Sequence, residues 1–182
     1  MQNKNKILVT GGGGFIGSHY INEILSLYPH KEILNLDCIS YATSNKTLDL
    51  LNDFKNYRFK QIDINNFDDV LLAFKNFEPD LVVHFAAESH VDNSVSGPKI
   101  FLETNIMGTF NLLQASLEIK KILPSLIFHH VSTDEVYGDL DFHEAKFTEF
   151  SNYQPSSPYS ASKASSDLLV QSWARTFDLN YI

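Results

Sequence analysis

The run Ser157-Pro158-Tyr159-Ser160-Ala161-Ser162-Lys163 sets a phenol and an ammonium four residues apart at the start of a predicted helix. Ser157 suits an N-cap and Pro158 the first helical position, so Tyr159 falls in the first turn and Lys163 one turn further along the same face. Two head groups aimed at one spot make a proton-transfer device. A neighbouring ammonium and the positive end of a helix both favour phenolate, so the spacing predicts a Tyr159 pulled below the ordinary value of ~10 toward a working base. A packed tyrosine beside a solvated lysine is the competing reading of the heptapeptide. Upstream, Thr133-Asp134-Glu135-Val136-Tyr137-Gly138 places two adjacent carboxylates directly after an apolar run; a solvated turn is the competing reading there.

These groups need a partner with redox chemistry, and the other end of the chain offers one. Lys6 to Thr10 is a short apolar run leading into Gly11-Gly12-Gly13-Gly14-Phe15-Ile16-Gly17, followed by an apolar-periodic segment through Leu27. This reads as strand, phosphate loop and helix, with glycines that let backbone approach a pyrophosphate and helix-start N–H groups that face it. Four consecutive glycines fit both Gly12-x-Gly14-x-x-Gly17 and Gly11-x-x-Gly14-x-x-Gly17. A second strand, Glu32 to Leu36, ends in Asp37, 20 residues after Gly17, where a carboxylate accepts from ribose hydroxyls and repels a 2′-phosphate. The ligand read from these residues is NAD.

The elements that must position these residues alternate. Tyr57 to Ile62 reads as strand, Phe67 to Phe77 as helix, Asp80 to Phe85 as strand, Pro98 to Lys121 as one long helix and Ser125 to Ser132 as strand. The helix carrying Tyr159 and Lys163 runs to about Phe177. That rhythm predicts an α/β fold: a Rossmann-like, doubly wound parallel sheet with helices on both faces and ligands at the carboxyl ends of the strands. Gly11, Asp37, Asp63, Ala86 and Thr133 each fall at or just after a predicted strand end, so five loops should meet at one edge.

Composition bounds the rest. The 182 residues suit one domain, and a net charge of −8 argues against nucleic acid as a partner. The single cysteine, Cys38, allows no internal disulfide, and no stretch suits a signal peptide or a membrane span, so a cytoplasmic protein is expected. His84, His129 and His130 lie within predicted strands without metal-ligand spacing, and no metal is expected.

Taken together, Thr10 to Gly17, Asp37, Asp63-Ile64, Ala86 to Asp92, Thr104-Asn105, Ser132 to Gly138 and Tyr159 to Lys163 resemble the extended short-chain dehydrogenase/reductases. Within that group the chain most resembles the nucleoside-diphosphate-glucose 4,6-dehydratases, of which the dTDP-glucose enzymes are the best known. The Asp134-Glu135 pair is the discriminating element; an epimerase needs no acid pair, and the related sugar decarboxylases and mannose dehydratases typically carry serine where Asp134 stands. A 4-epimerase or decarboxylase of the same superfamily is the further alternative. The resemblance implies that Tyr159, assisted by Lys163, takes the proton of a sugar 4-hydroxyl held by Thr133. It further implies that Glu135 removes the C5 proton and Asp134 protonates the departing 6-hydroxyl. It assigns the cofactor to Gly11, Gly14, Phe15, Ile16, Gly17, Asp37, Asp63, Ile64, Ala86, Ala87, Ser132, Tyr159 and Lys163. Ser89, Thr133 and Asn105 are assigned to the nucleotide sugar. For Asp63, capping the helix at Phe67 is the rival reading, and for Asn105 it is packing. Position 93 is Asn93 where the group commonly has arginine.

Family members are usually longer, and Asn180-Tyr181-Ile182 reads as the start of a further strand. The chain, residues 1–182, is therefore expected to be the cofactor-binding portion without a C-terminal substrate domain, binding NAD but turning over a sugar nucleotide poorly or not at all. A non-catalytic NAD-binding remnant or scaffold is the alternative from another class. A homodimer through the long helices Pro98 to Lys121 and Pro158 to Phe177 follows from the resemblance.

Overall fold

In the computed structural model, which describes residues 4–141, 143 and 146–182, six strands form one sheet. They are β1 (Lys6–Thr10), β2 (Glu32–Asp37), β3 (Tyr57–Gln61), β4 (Leu81–His84), β5 (Ile127–His130) and β6 (Asn180–Tyr181). Their order is β3-β2-β1-β4-β5-β6, and every pairing is parallel, so all carboxyl ends share one edge. The strands β3, β4 and β5 are each shorter than the apolar pattern suggested, although Ile62, Phe85 and Val131 just past them still donate an amide to the neighbouring strand at 3.1, 3.0 and 3.3 Å.

Helices cover both faces: α1 (Phe15–Leu27), α2 (Asn45–Leu51), α3 (Phe67–Phe77), α4 (Val91–Ser96), α5 (Pro98–Phe101), α6 (Thr109–Lys120) and α7 (Pro158–Phe177). Successive strand residues point to opposite faces, which splits the core in two. Ile7, Val9, Ile33, Leu81 and Val83 pack with Ile21, Leu25 and Leu51 of α1 and α2. Leu8, Leu34, Val82 and Phe128 pack with Phe74, Leu112 and Val170 of α3, α6 and α7. Phe74 is fully enclosed. Truncating it to alanine should cost about 3–5 kcal/mol.

Two segments depart from the expected pattern. Val91–Ser96, for which the sequence pattern predicted no element, form the short helix α4, and the helix expected as continuous from Pro98 changes pitch through a π segment, Leu102–Gly108. A wide turn of this kind displaces backbone hydrogen bonds and lets a polar side chain turn inward. Asn105 lies in it and is buried. Among the described residues no helix is long and apolar enough to cross a membrane.

Candidate active site

The glycine loop is held by β2 from beneath. Asn35 and Asp37, two residues apart and therefore on one face, accept the amides of Gly12 (Oδ1, 3.0 Å) and Gly13 (Oδ2, 2.9 Å). The other oxygen of Asp37 accepts from the Ile39 amide and the Thr43 hydroxyl, both at 2.9 Å. Asp37 is thus a buried organiser of two loops. Asn35 was not singled out from sequence, although a polar residue inside the apolar run Glu32 to Leu36 was the available signal.

Sterics choose the glycine register. Gly11 has φ +73°, and a Cβ there would stand 2.6 Å from the Ala86 amide nitrogen. At Gly17 a Cβ would stand 2.4 Å from the Gly11 carbonyl, whereas at Gly14 its nearest contact would be 3.4 Å. Gly11 and Gly17 are demanded by backbone approach, whereas a Cβ at Gly14 would make only ordinary contact. A Cβ at Gly12 would stand 2.3 Å from Asn35 Oδ1, a side-chain end that can shift, so the positive φ and backbone clash of Gly11 favour the Gly11-x-x-Gly14-x-x-Gly17 reading. Gly14 caps α1 without a side chain. The first-turn N–H groups of Phe15, Ile16 and Gly17 are left to meet an anion at the positive end of a 13-residue helix. The Phe15 and Ile16 side chains stand exposed beside them.

Beyond β3, Asp63 is exposed and accepts from the Asn65 amide at 2.9 Å, while Ile64 is buried. The cap of α3 is Asn66, not Asp63, so the rival reading of Asp63 as that helix's cap does not hold. Ala86 donates its amide to Thr10 Oγ1 at 3.3 Å, tying the loop after β4 to β1. Ser89 is exposed at the same edge. Asn105 binds the Glu88 backbone through both its oxygen (2.8 Å) and its amide nitrogen (2.9 Å), and donates again to Ser162 on α7 (2.8 Å). Both its amide hydrogens are taken, so Asn105 acts on this edge by fixing Glu88 against α7.

At β5 the chain leaves the sheet through Val131 and Ser132 and makes a single 3₁₀ turn, Asp134–Tyr137, capped by Thr133, whose hydroxyl accepts from the Glu135 amide at 3.3 Å. Asp134 and Glu135 are exposed there. Helix α7 begins as its sequence dictates: Ser157 is the N-cap, Pro158 opens the helix, and Ser157 and Ser160 exchange hydrogen bonds in a capping box. Tyr159 is buried against the edge of the Phe101 ring, and Lys163 is buried one turn on.

The electrostatics differ from the expectation. Burial pushes the Tyr159 phenol above its ordinary value; a hydrogen bond with Thr133 opposes this, and the charges of Glu135, Asp134 and Asp167 add to it. The Lys163 Nζ donates to the Val131 carbonyl at 2.7 Å, and burial lowers its pKa to about 8, opposed by the charge of Asp167. Burial first, and the neighbouring carboxylates after it, keep the phenol protonated at neutral pH. The acid pair, the threonine and the phenol nevertheless form one electrostatic group, since each acts on Tyr159.

A family model described as GDP-mannose 4,6 dehydratase matches residues 8–182. The dTDP-glucose 4,6-dehydratase of Neisseria meningitidis serogroup B is 48% identical over 179 residues, covering 96% of this chain and 50% of the relative. Among solved structures, the dTDP-glucose 4,6-dehydratase of Streptomyces venezuelae with NAD and TYD bound aligns with a TM-score of 0.88 and 41% identity, over 96% of this chain and 53% of that one. The UDP-Glc/GlcNAc 4-epimerase of Campylobacter jejuni aligns at 0.86 with 28% identity, over 97% of this chain and 51% of the other. The chain spans about half the length of the relatives it matches.

Proposed function

This chain belongs to the GDP-mannose 4,6 dehydratase family, and on that premise we propose that it is the NAD-binding and acid/base portion of a dTDP-glucose 4,6-dehydratase. The observation that carries the reading is the meeting of Thr133, Asp134, Glu135 and Tyr159 in one electrostatic group on the edge that also holds the uncapped start of α1. The named chemistry of the Neisseria and Streptomyces relatives supports it.

The cofactor half fits NAD on its own evidence. Gly14 leaves open space before three free helix-start amides, and the Asp37 carboxylate stands at the adjoining strand end, where a ribose is accepted and a further phosphate disfavoured. When bound, NAD supplies the acceptor for a hydride from the sugar and the later return of that hydride. Asp63 and Ile64 would line the adenine side, and Ala86, Ala87, Ser132 and Lys163 the nicotinamide side. Tyr159 first releases its own phenolic proton to solvent, a loss that the Lys163 ammonium nearby favours, and the phenolate oxygen, bonded to Thr133, then takes the proton of the 4-hydroxyl. The resulting ketone acidifies the neighbouring C–H, which Glu135 removes while Asp134 gives a proton to the leaving 6-hydroxyl. Both acids are exposed in the chain itself, so the substrate has to supply the burial that lets one of them hold its proton.

The likeness to the Campylobacter epimerase favours 4-epimerisation as the second reading, since the phenol, lysine and threonine would serve it equally. The test is to mix the chain with NAD and dTDP-glucose after measuring NAD binding by calorimetry. A 4-keto-6-deoxy product is expected. A 4-epimer would assign the second reading, NAD binding without product would leave a binding module, and absence of NAD binding would sink both. We also propose a cytoplasmic homodimer. Ile100, Leu102, Met107 and Leu168 stand about half exposed on the helices expected to pair, and a strict monomer by light scattering at micromolar concentration would remove it.

A further inference from the structure

One buried acid has no place in that chemistry. Asp167 sits on α7 one turn past Lys163, with its side chain 9% exposed. Its Oδ2 accepts from the Ser132 hydroxyl at 2.7 Å and from the Tyr153 hydroxyl at 3.3 Å. Its Oδ1 lies 3.0 Å from His130 Nε2 at the end of β5. A carboxylate with this little exposure survives only where several donors meet it. Here both donors reach Oδ2, from Ser132, the residue that leads into the Thr133–Glu135 turn, and from Tyr153 in the segment leading into α7, while Oδ1 has only the His130 ring beside it.

We propose that Asp167 is a positioning residue for the proton-transfer group: it anchors the Ser132–Glu135 turn to α7 and places a carboxylate one helical turn from Lys163. The inference deepens the dehydratase reading and rests on it for the role of Lys163. Three groups from the neighbouring strands and helix bear on the ammonium's surroundings. His130 and His84 are held neutral mainly by burial, and Tyr159 keeps its proton. Among the described residues, Asp167 is then the group whose charge opposes the desolvation of Lys163. It keeps the ammonium available where burial alone would discharge it. Through Ser132 the same carboxylate holds the turn that presents Thr133 and both acids. One side chain thereby fixes the ammonium, the phenol's partner threonine and the acid pair relative to a single helix.

The test needs no ligand. Lysine side-chain carbons are titrated by NMR in the 182-residue chain, with Lys163 assigned by its loss in Lys163→Met. The wild-type midpoint is expected near 8, and Asp167→Asn, which keeps the shape and drops the charge, should lower it by about one pH unit. An unchanged midpoint overturns the proposal. Ser132→Ala separates the anchoring role and spares the fold should Asp167→Asn fail to fold. It should leave the Lys163 midpoint in place and raise amide exchange across residues 133–138 about tenfold, and unaltered exchange would overturn the anchor. Failure of the wild-type chain to bind NAD would sink the cofactor reading without touching either result.

Discussion

The two halves of the carboxyl edge are built on opposite principles. On the β1–β2 side, close backbone approach does most of the positioning: Gly11 and Gly17 permit contacts that any Cβ would block, and one amide, Asn35, and one buried carboxylate, Asp37, tie off the loop amides. On the β5–α7 side, buried ionisable groups do it, with Lys163, Asp167 and His130 packed beneath an exposed acid pair. A dinucleotide is a fixed shape, and a rigid backbone cradle suits it. Proton transfer needs groups that change charge, and holding them in a dry site costs stability. The comparison predicts that substitutions on the first side act through shape and on the second through protonation.

The largest effect belongs to the phenol. Tyr159→Phe removes the proton acceptor and leaves the ring packed on Phe101, so reduction of NAD by dTDP-glucose should fall about 10²- to 10⁴-fold. NAD affinity by calorimetry should be nearly unchanged. Equal loss of both would mean that Tyr159 shapes the cradle and that the two halves are not separable.

Lys163 sharpens the charge side of the contrast. Its pKa is lowered from 10.5 to about 8 by burial, so below pH 8 it is charged in both states and the folded state bears the whole desolvation cost. As pH rises from 8 toward 10.5 the folded protein releases this proton first, the unfolded chain binds more protons, and stability rises. Lys163→Met should therefore stabilise the chain at neutral pH by up to about 3 kcal/mol, less the lost bond to Val131, and flatten that alkaline rise. Tyr159, raised above 10, acts the other way at higher pH, so urea midpoints are best compared below pH 10.

Glycine substitutions sharpen the shape side. Gly17→Ala forces a methyl to 2.4 Å from a carbonyl oxygen and should cost about 1–3 kcal/mol of stability together with NAD binding. Gly14→Ala meets its first atom only at 3.4 Å. It should leave the urea midpoint in place and weaken NAD alone, by about tenfold, because its methyl occupies the open face. Equal destabilisation by both would contradict the steric contrast between the two positions.

What could be read from sequence follows the same division. The strands, the glycine loop and the start of α7 were legible because each rests on local rules: apolar runs that end at glycine or aspartate, and a Ser-Pro helix entry. Helix α2 was missed, being seven residues with only Ser44 as its cap. The π segment at Asn105 follows from tertiary demand on one side chain, which no periodicity records. The direction of the Tyr159 shift was misjudged for a related reason. The four-residue spacing showed the ammonium, but burial and the carboxylates of another element decided the balance. Asp167 left only a four-residue spacing from Lys163, indistinguishable in sequence from an exposed helical ion pair.

The smallest expected effect tests whether the two halves are joined. His84, buried on β4, lies 2.7 Å from Thr10 Oγ1 through Nδ1 and 2.9 Å from Thr109 Oγ1 through Nε2. Thr109 spends its hydrogen on the Asn105 carbonyl at 2.6 Å, so it accepts from the imidazole. Nδ1 must then accept from Thr10, whose oxygen in turn accepts the Ala86 amide. This chain runs from the glycine-loop side to the π segment, and it works only with neutral imidazole. Burial holds the His84 pKa well below 6.5, so in the window beneath that value the unfolded chain binds the extra proton and stability falls as pH falls. His129 and His130 are shifted the same way, which makes the acid slope a shared property. His84→Gln should reduce that slope between roughly pH 6.5 and 5 while costing on the order of 1 kcal/mol at neutral pH from the disturbed bonds. An unaltered slope in urea titrations would mean that His84 does not link the two sides and that each stands on its own.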